Sequence, residues 1–339
     1  MSQRTPRRST ARTAAVAGAV LGALLLAGCT SPVPTPTVDE SSATAEPALT
    51  VEQMAEVREA VGSTLEAANA TNDASQLATR LAGPALSLRT SQLGVAAARG
   101  NGDLVTVLPT AVQQDIITTT ESWPRQAYAV TEQPEDLQSP RLLAYEQTTA
   151  RDPYKLWAWV RLFPSVKLPS FAGAAVGSES VPLDDPSLLM TPTDAVAQYA
   201  DVLNLGAGSG FAASFADDPL RAWVATNAQT QAAPLATAAG TQTMTFTPTP
   251  DEARAVRTAD GGAMVMAAMT ALETRTAEEG AKITPGTETE KALFGATEPT
   301  NVLNVGYTTM VAMYIPPADA TTGVQVLGME NIVTSVATS

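Results

Sequence analysis

A chain of 339 residues with 34 acidic and 20 basic side chains carries a net charge of −14, and it contains no histidine. Nucleic acid demands a basic footprint, so this balance excludes it as a partner. The missing histidine removes the commonest general base and metal ligand, and with them the Ser-His-Asp and Cys-His mechanisms.

Arg4, Arg7, Arg8 and Arg12 precede an apolar run from Ala14 to Leu26. This is the order of a secretory leader, with a positive start and an apolar stretch too short to span a bilayer comfortably. The run closes on Leu26-Ala27-Gly28-Cys29, which resembles the lipobox of bacterial lipoproteins. The resemblance implies removal of residues 1–28 and lipidation of Cys29, the only cysteine in the chain. Several acyl chains on one residue anchor stably. The membrane is therefore the expected partner through that lipid, and its extracytoplasmic face the expected location. Arg7-Arg8 is similar to a twin-arginine export signal, but Ser9-Thr10-Ala11 lacks the apolar continuation, and the export route stays open. The leader holds four arginines and no acid, so its removal takes the net charge from −14 to −18. That surface is repelled by anionic headgroups and suits solubility outside the cell. Once Cys29 is lipidated, no thiol remains for a disulfide, a metal site or a nucleophile.

Residues 29–50, rich in Pro, Thr and Ser, are too poor in large apolar side chains to fold and read as a disordered tether. From Val51 the apolar residues Met54, Val57, Val61, Leu65 and Ala68 recur at helical spacing. Thr71-Asn72-Asp73 breaks the run, a second helix is expected over 74–81, and Gly83-Pro84 restarts the chain. After Gly100-Asn101-Gly102-Asp103 the period shortens towards two, predicting strands at 104–108, 115–120 and 125–131. The clearest pair is 142–148 with 154–163. In its second strand Leu156, Ala158, Val160 and Leu162 share one face, while Lys155, Trp157, Trp159 and Arg161 share the other.

The order then repeats. Thr191-Pro192-Thr193-Asp194 starts a helix, Gly206 to Gly210 ends it, a short helix follows at 211–215, and Asp218-Pro219 opens another. Strands are expected at 241–247, 252–258 and 264–275, with a last hairpin of 302–315 and 323–336. Setting Pro84 on Pro219 superimposes the two orders. The expected class is α+β, with two similar domains of helices followed by an antiparallel sheet, 51–180 and 181–339. This order resembles the cystatin-like cone of nuclear-transport-factor-2-like proteins, in which a curved sheet wraps a helix and encloses a pocket.

Gly206-Ala207-Gly208-Ser209-Gly210 is out of register for a nucleophile elbow and lacks the Gly-Lys-Ser/Thr ending of a phosphate loop. None of the four lysines has a serine three residues before it. The acid pairs Asp184-Asp185, Asp217-Asp218 and Glu278-Glu279 could serve a glycosidase, although Asp217-Asp218 before Pro219 reads better as a helix cap. Met264, Met266, Met269, Met310 and Met313 could offer thioethers to copper, but strand methionines ordinarily fill core gaps. Neither a cofactor nor a metal is expected. Trp157 and Trp159 beside Lys155 and Arg161 suit either a partner surface or an interdomain seam.

The stretch from Ala150 to Pro164, with Trp123-Pro124-Arg125, resembles an actinobacterial lipoprotein family described as a domain of unknown function. The resemblance implies a high-GC Gram-positive host and an extracytoplasmic location, and no activity. The expected function is a non-enzymatic binding or scaffolding module of the cell envelope, its partner an envelope protein, glycan or lipid. A carrier of lipid or lipoglycan and a carboxylate-based glycan hydrolase are the alternatives.

Overall fold

The structure is a computed structural model that describes residues 45–120, 122–134 and 138–339. The leader, the lipobox residues Leu26, Ala27 and Gly28, Cys29 and most of the expected tether lie outside the described residues. Residues 45–339 form one compact unit.

Helix α1 (Val51–Thr71) begins at Thr50, whose hydroxyl accepts from the Gln53 amide while the Gln53 side chain returns the bond, a capping box. Asn72 ends it in the left-handed conformation. The expected helix over 74–81 is only a 3-10 turn, Leu77–Thr79; Asp73 turns its carboxylate onto Ser75 and breaks the segment up. Helix α2 (Gly83–Arg99) follows, stopped by left-handed Gly100. Strands β1 (Val112–Thr119), β2 (Arg125–Thr131), β3 (Arg141–Gln147), β4 (Lys155–Leu162) and β5 (Ser178–Glu179) complete the first half.

In the second half α3 (Pro192–Leu205) is capped by Thr191, and α4 (Pro219–Ala236) by Asp218. Strands β6 (Thr241–Arg257) and β7 (Ala263–Thr276), helix α5 (Glu288–Phe294), and strands β8 (Val302–Ile315) and β9 (Gln325–Thr338) follow. The two strands expected at 241–247 and 252–258 are one strand, with a register shift between Pro248 and Ala253. Two prolines interrupt the ladder there without ending the strand. The strand expected at 104–108 is absent. Those residues run as coil, with Leu104 and Val107 turned to solvent, between the Gly100-Asn101-Gly102 turn and Pro109. The expected tether also ends early, because Pro47 bridges Thr119 and the Ala48 amide donates to the Thr118 carbonyl at 2.8 Å.

The class is α+β. All nine strands belong to one mixed sheet, in the order β5-β1-β2-β3-β4-β9-β8-β7-β6. Only β1 with β5 is parallel. The halves expected at 51–180 and 181–339 are thus joined in a single sheet through β4 and β9, whose ladder is only Arg161↔Met329 and Leu162↔Gly328.

Two hydrophobic clusters flank the sheet. The first gathers α1, α2 and β1 to β4, together with Met264, Met266, Met310 and Ala312. The second gathers α3 with Val265, Ala267, Met269, Val311 and Met313. Alternate residues of β7 and β8 therefore enter opposite cores, and both faces are buried over Ala263–Met269 of β7 and Thr309–Met313 of β8. The five methionines expected to be core are buried, and they divide between the two faces.

The β4–β9 junction depends on Gly328. A Cβ there would stand 2.4 Å from the Arg161 carbonyl oxygen and 2.9 Å from the Leu162 Cα, both backbone atoms. Gly328→Ala should cost about 1–3 kcal/mol, as overpacking does when backbone must yield. The urea midpoint measures it, and an unchanged midpoint contradicts this account of the junction.

Candidate functional site

The hairpin residues do not form a surface. Trp157 and Trp159 are both buried. Trp157 Nε1 donates to Glu252 Oε2 of β6 at 2.6 Å, and the Arg254 guanidinium lies 4.6 Å from the ring centroid. Arg254 in turn pairs with Glu146 of β3. Trp157 thus sits where first-half strands meet β6, pressed against Gly83 at the start of α2. Trp159 lies beneath Arg89 of α2, 5.5 Å from guanidinium carbon to ring centroid. Lys155 Nζ donates to the Ala78 carbonyl at 2.7 Å, and Arg161 is exposed.

Three acids of these pairs, Asp185, Asp217 and Asp218, have structural work. Asp218 accepts from the Leu220 and Arg221 amides at 2.8 and 3.1 Å, the cap expected from the sequence, and also from the Tyr199 hydroxyl at 3.0 Å. Asp217 pairs with Arg221 and Asp185 with Arg257. Glu278 and Glu279 are exposed in a turn.

A cleft of about 380 Å³ opens where α2 faces α4 and α5 over β8 and β9. Trp223, Asn227 and Gln231, each four residues apart, form one stripe of α4 along it. Ser91 and Gln92 of α2 face them, with Asn331 of β9 and Thr287 and Thr289 around α5. Trp223 meets Tyr307 edge to face, with centroids 5.8 Å apart. The Asn227 Nδ2 atom is buried without a hydrogen-bond partner.

Beneath the cleft lies a buried ionic network. Arg275 donates from Nε to Glu273 at 2.7 Å and from both Nη atoms to Glu290 at 3.1 and 3.0 Å. Glu273 also accepts from the Tyr307 hydroxyl at 2.8 Å and from Gln242 at 3.0 Å. Glu290 accepts from the Gly286 amide at 2.7 Å. Burial alone would push the Glu273 pKa up, but Arg275, Tyr307 and Gln242 together hold it below the usual carboxylate range. Burial, with Glu273 beside it, raises the Tyr307 hydroxyl far above its ordinary value, so it stays a donor. The arrangement offers a fixed aromatic edge, amides that both donate and accept, and a floor whose carboxylates are already engaged. Nothing in the sequence placed α2 beside α4, although the four-residue stripe on α4 was readable.

The chain matches the family described as a domain of unknown function, DUF8094, over residues 45–337. It belongs to that family. The matched span takes in the nine strands of the described residues except Thr338 at the end of β9, so the family's domain is the joined sheet and not one half of it. No curated protein and no solved structure matches the chain.

Because the folded pKa of Glu273 is depressed, its stabilising contribution is present above the unfolded carboxylate range and is lost as pH falls through the folded value. Urea midpoints should therefore drop between pH 6 and pH 3. Glu273→Gln should cost about 3 kcal/mol at pH 7, as for a broken buried pair, and should make that drop smaller. An equally steep drop in the variant contradicts the assignment.

Proposed function

We propose that the chain is an extracytoplasmic lipoprotein, cut before Cys29 and held to a membrane by lipid on it, whose body binds a neutral, hydroxyl-rich envelope ligand such as a glycan. The anchor reading rests on the leader and on the resemblance of Leu26 to Cys29 to a lipobox. No helix among the described residues is long and apolar enough to cross a membrane.

The observation that carries the binding reading is the cleft. Its volume is in the range of small-ligand sites. Its wall combines an aromatic pair with Gln92, Asn227, Gln231 and Asn331. Hydroxyl groups donate and accept at once, and side-chain amides answer both roles. An acyl chain gains nothing from amides and would lie over the charged floor formed by Arg275 and Glu290. That disfavours the lipid-carrier alternative at this cleft. For a glycan hydrolase, two free carboxylates are required, and Glu273 and Glu290 are both bound to Arg275.

Cys29→Ser should abolish acyl labelling and shift the protein out of the membrane fraction; unchanged labelling contradicts the anchor. Titration of the wild-type chain with soluble envelope glycan fragments should change Trp223 fluorescence. Trp223→Ala should weaken that binding by about 2 kcal/mol, as for an interface aromatic. Failure of every glycan fraction to bind the wild-type chain rejects the ligand class.

A further inference from the structure

Next to the cleft along α2, a groove of about 1000 Å³ runs between α1 and the coil segment 102–110. Arg89 of α2 lines it and has no exposed surface. Its Nη2 donates to the Thr106 carbonyl at 2.8 Å and its Nη1 to Asn69 Oδ1 at 3.3 Å, while its Nε has no acceptor. Among the described residues Arg89 makes no ion pair. All its direct partners are neutral. A fully buried cation held only by neutral groups is costly, and buried charges are ordinarily paired.

The surrounding charges do not supply the missing partner. Glu330 of β9 is bonded to Arg141 of β3 at 3.3 Å and makes no hydrogen bond to Arg89, on which it acts only through space. Arg58 at the groove wall pairs with Asp115 of β1. Burial lowers the Arg89 pKa to about 10, with Glu330 opposing and Arg141 adding to the effect, so the side chain is still charged at neutral pH. A second buried donor is also left over, since Nε1 of Trp159, the ring beneath Arg89, has no acceptor either.

The guanidinium geometry identifies what is missing. Nε–H and Nη2–H lie side by side along one edge of the plane, and a carbonyl oxygen such as that of Thr106 answers only one of them. A phosphate or carboxylate presents two oxygens and takes both. We propose that this groove is an anion-binding site, in which the Arg89 guanidinium takes the phosphate or carboxylate group of a small ligand in place of the Thr106 carbonyl. The coil segment that carries Thr106 belongs to no helix or strand, so its displacement breaks no ladder, although it gives up the bonds between Thr106 and the Gln92 side chain. The exposed acids Glu59 and Glu66 on the groove's α1 wall disfavour polyanions and favour a ligand with a single anionic group.

The test uses the purified full chain in neutral detergent, titrated separately with sodium phosphate and sodium acetate against sodium chloride at equal ionic strength. At about 20 mM, the anion that fits should raise Tm by a few degrees over chloride, saturating at roughly millimolar concentration. Saturation by phosphate assigns a phosphorylated ligand, and saturation by acetate alone assigns a carboxylate. Arg89→Met should lose the increment and Arg89→Lys should keep part of it. In the wild-type chain, independently of any variant, the Arg89 Nε–H resonance should shift along the same titration curve. An equal increment in wild type and Arg89→Met, or an Nε–H signal that neither anion moves, overturns the proposal.

Discussion

The constraint on which the rest of the structure depends is the burial of both faces of β7 over Ala263–Met269 and of β8 over Thr309–Met313. Met264 and Met266 enter one core while Val265 and Ala267 between them enter the other. A strand buried on both sides must be apolar at every position, and Ala263 to Met269 is an unbroken apolar run. Methionine suits such a place because its unbranched side chain fills irregular gaps. These strands therefore partition the molecule, with α1, α2 and the first-half strands on one side and α3 on the other. The short β4–β9 ladder closes the arrangement, and Gly328 allows the close backbone approach it needs.

This partition explains where sequence reasoning succeeded and where it stopped. Helix starts were legible because Thr50, Thr191 and Asp218 satisfy the first amides of their helices with their own side chains, a purely local interaction. The correspondence of Pro84 with Pro219 also reaches the structure, since each stands in the first turn of its helix. Apolar alternation misled at 104–108, where Thr106 is held by Gln92 and Arg89 from a helix and not by a neighbouring strand. Helix α5 has seven residues and little apolar periodicity, although Thr287 and Glu290 were a readable start. The joining of the halves was not legible. It rests on contacts far apart in the chain: the two β4–β9 pairs beside Gly328, the Trp157–Glu252 hydrogen bond, and the Glu146–Arg254 and Arg141–Glu330 ion pairs.

The candidate site followed the same rule. Trp157 and Trp159 stood out in the sequence as two large aromatics on the more polar face of their strand, but a register shift between Ala144 and Tyr145 leaves Trp157 as an extra residue in β4 and breaks that alternation, so Trp157 meets β6 while Trp159 lies under α2. The residues that line the cleft are individually ordinary, and they gain meaning only when α2 and α4 face each other across it. Helix α2 is the common wall of both concavities, with Arg89 towards the groove and Gln92 towards the cleft. Thr106 joins them, accepting from Arg89 through its carbonyl and from Gln92 through its hydroxyl at 2.7 Å. Two buried donors without a protein acceptor, Arg89 Nε and Asn227 Nδ2, belong to residues that line these two cavities, one in each.

The central claim is that residues 45–339 form one cooperative unit held across the β4–β9 junction. The most direct test is equilibrium urea unfolding of the chain labelled with fluorotryptophan and followed by fluorine resonances. Of the four tryptophans, Trp123, Trp157 and Trp159 report the first half and Trp223 the second. The account predicts that all four resonances lose their native intensity in a single coincident transition. Two separated transitions, with Trp223 unfolding while Trp157 and Trp159 remain native or the reverse, would contradict it.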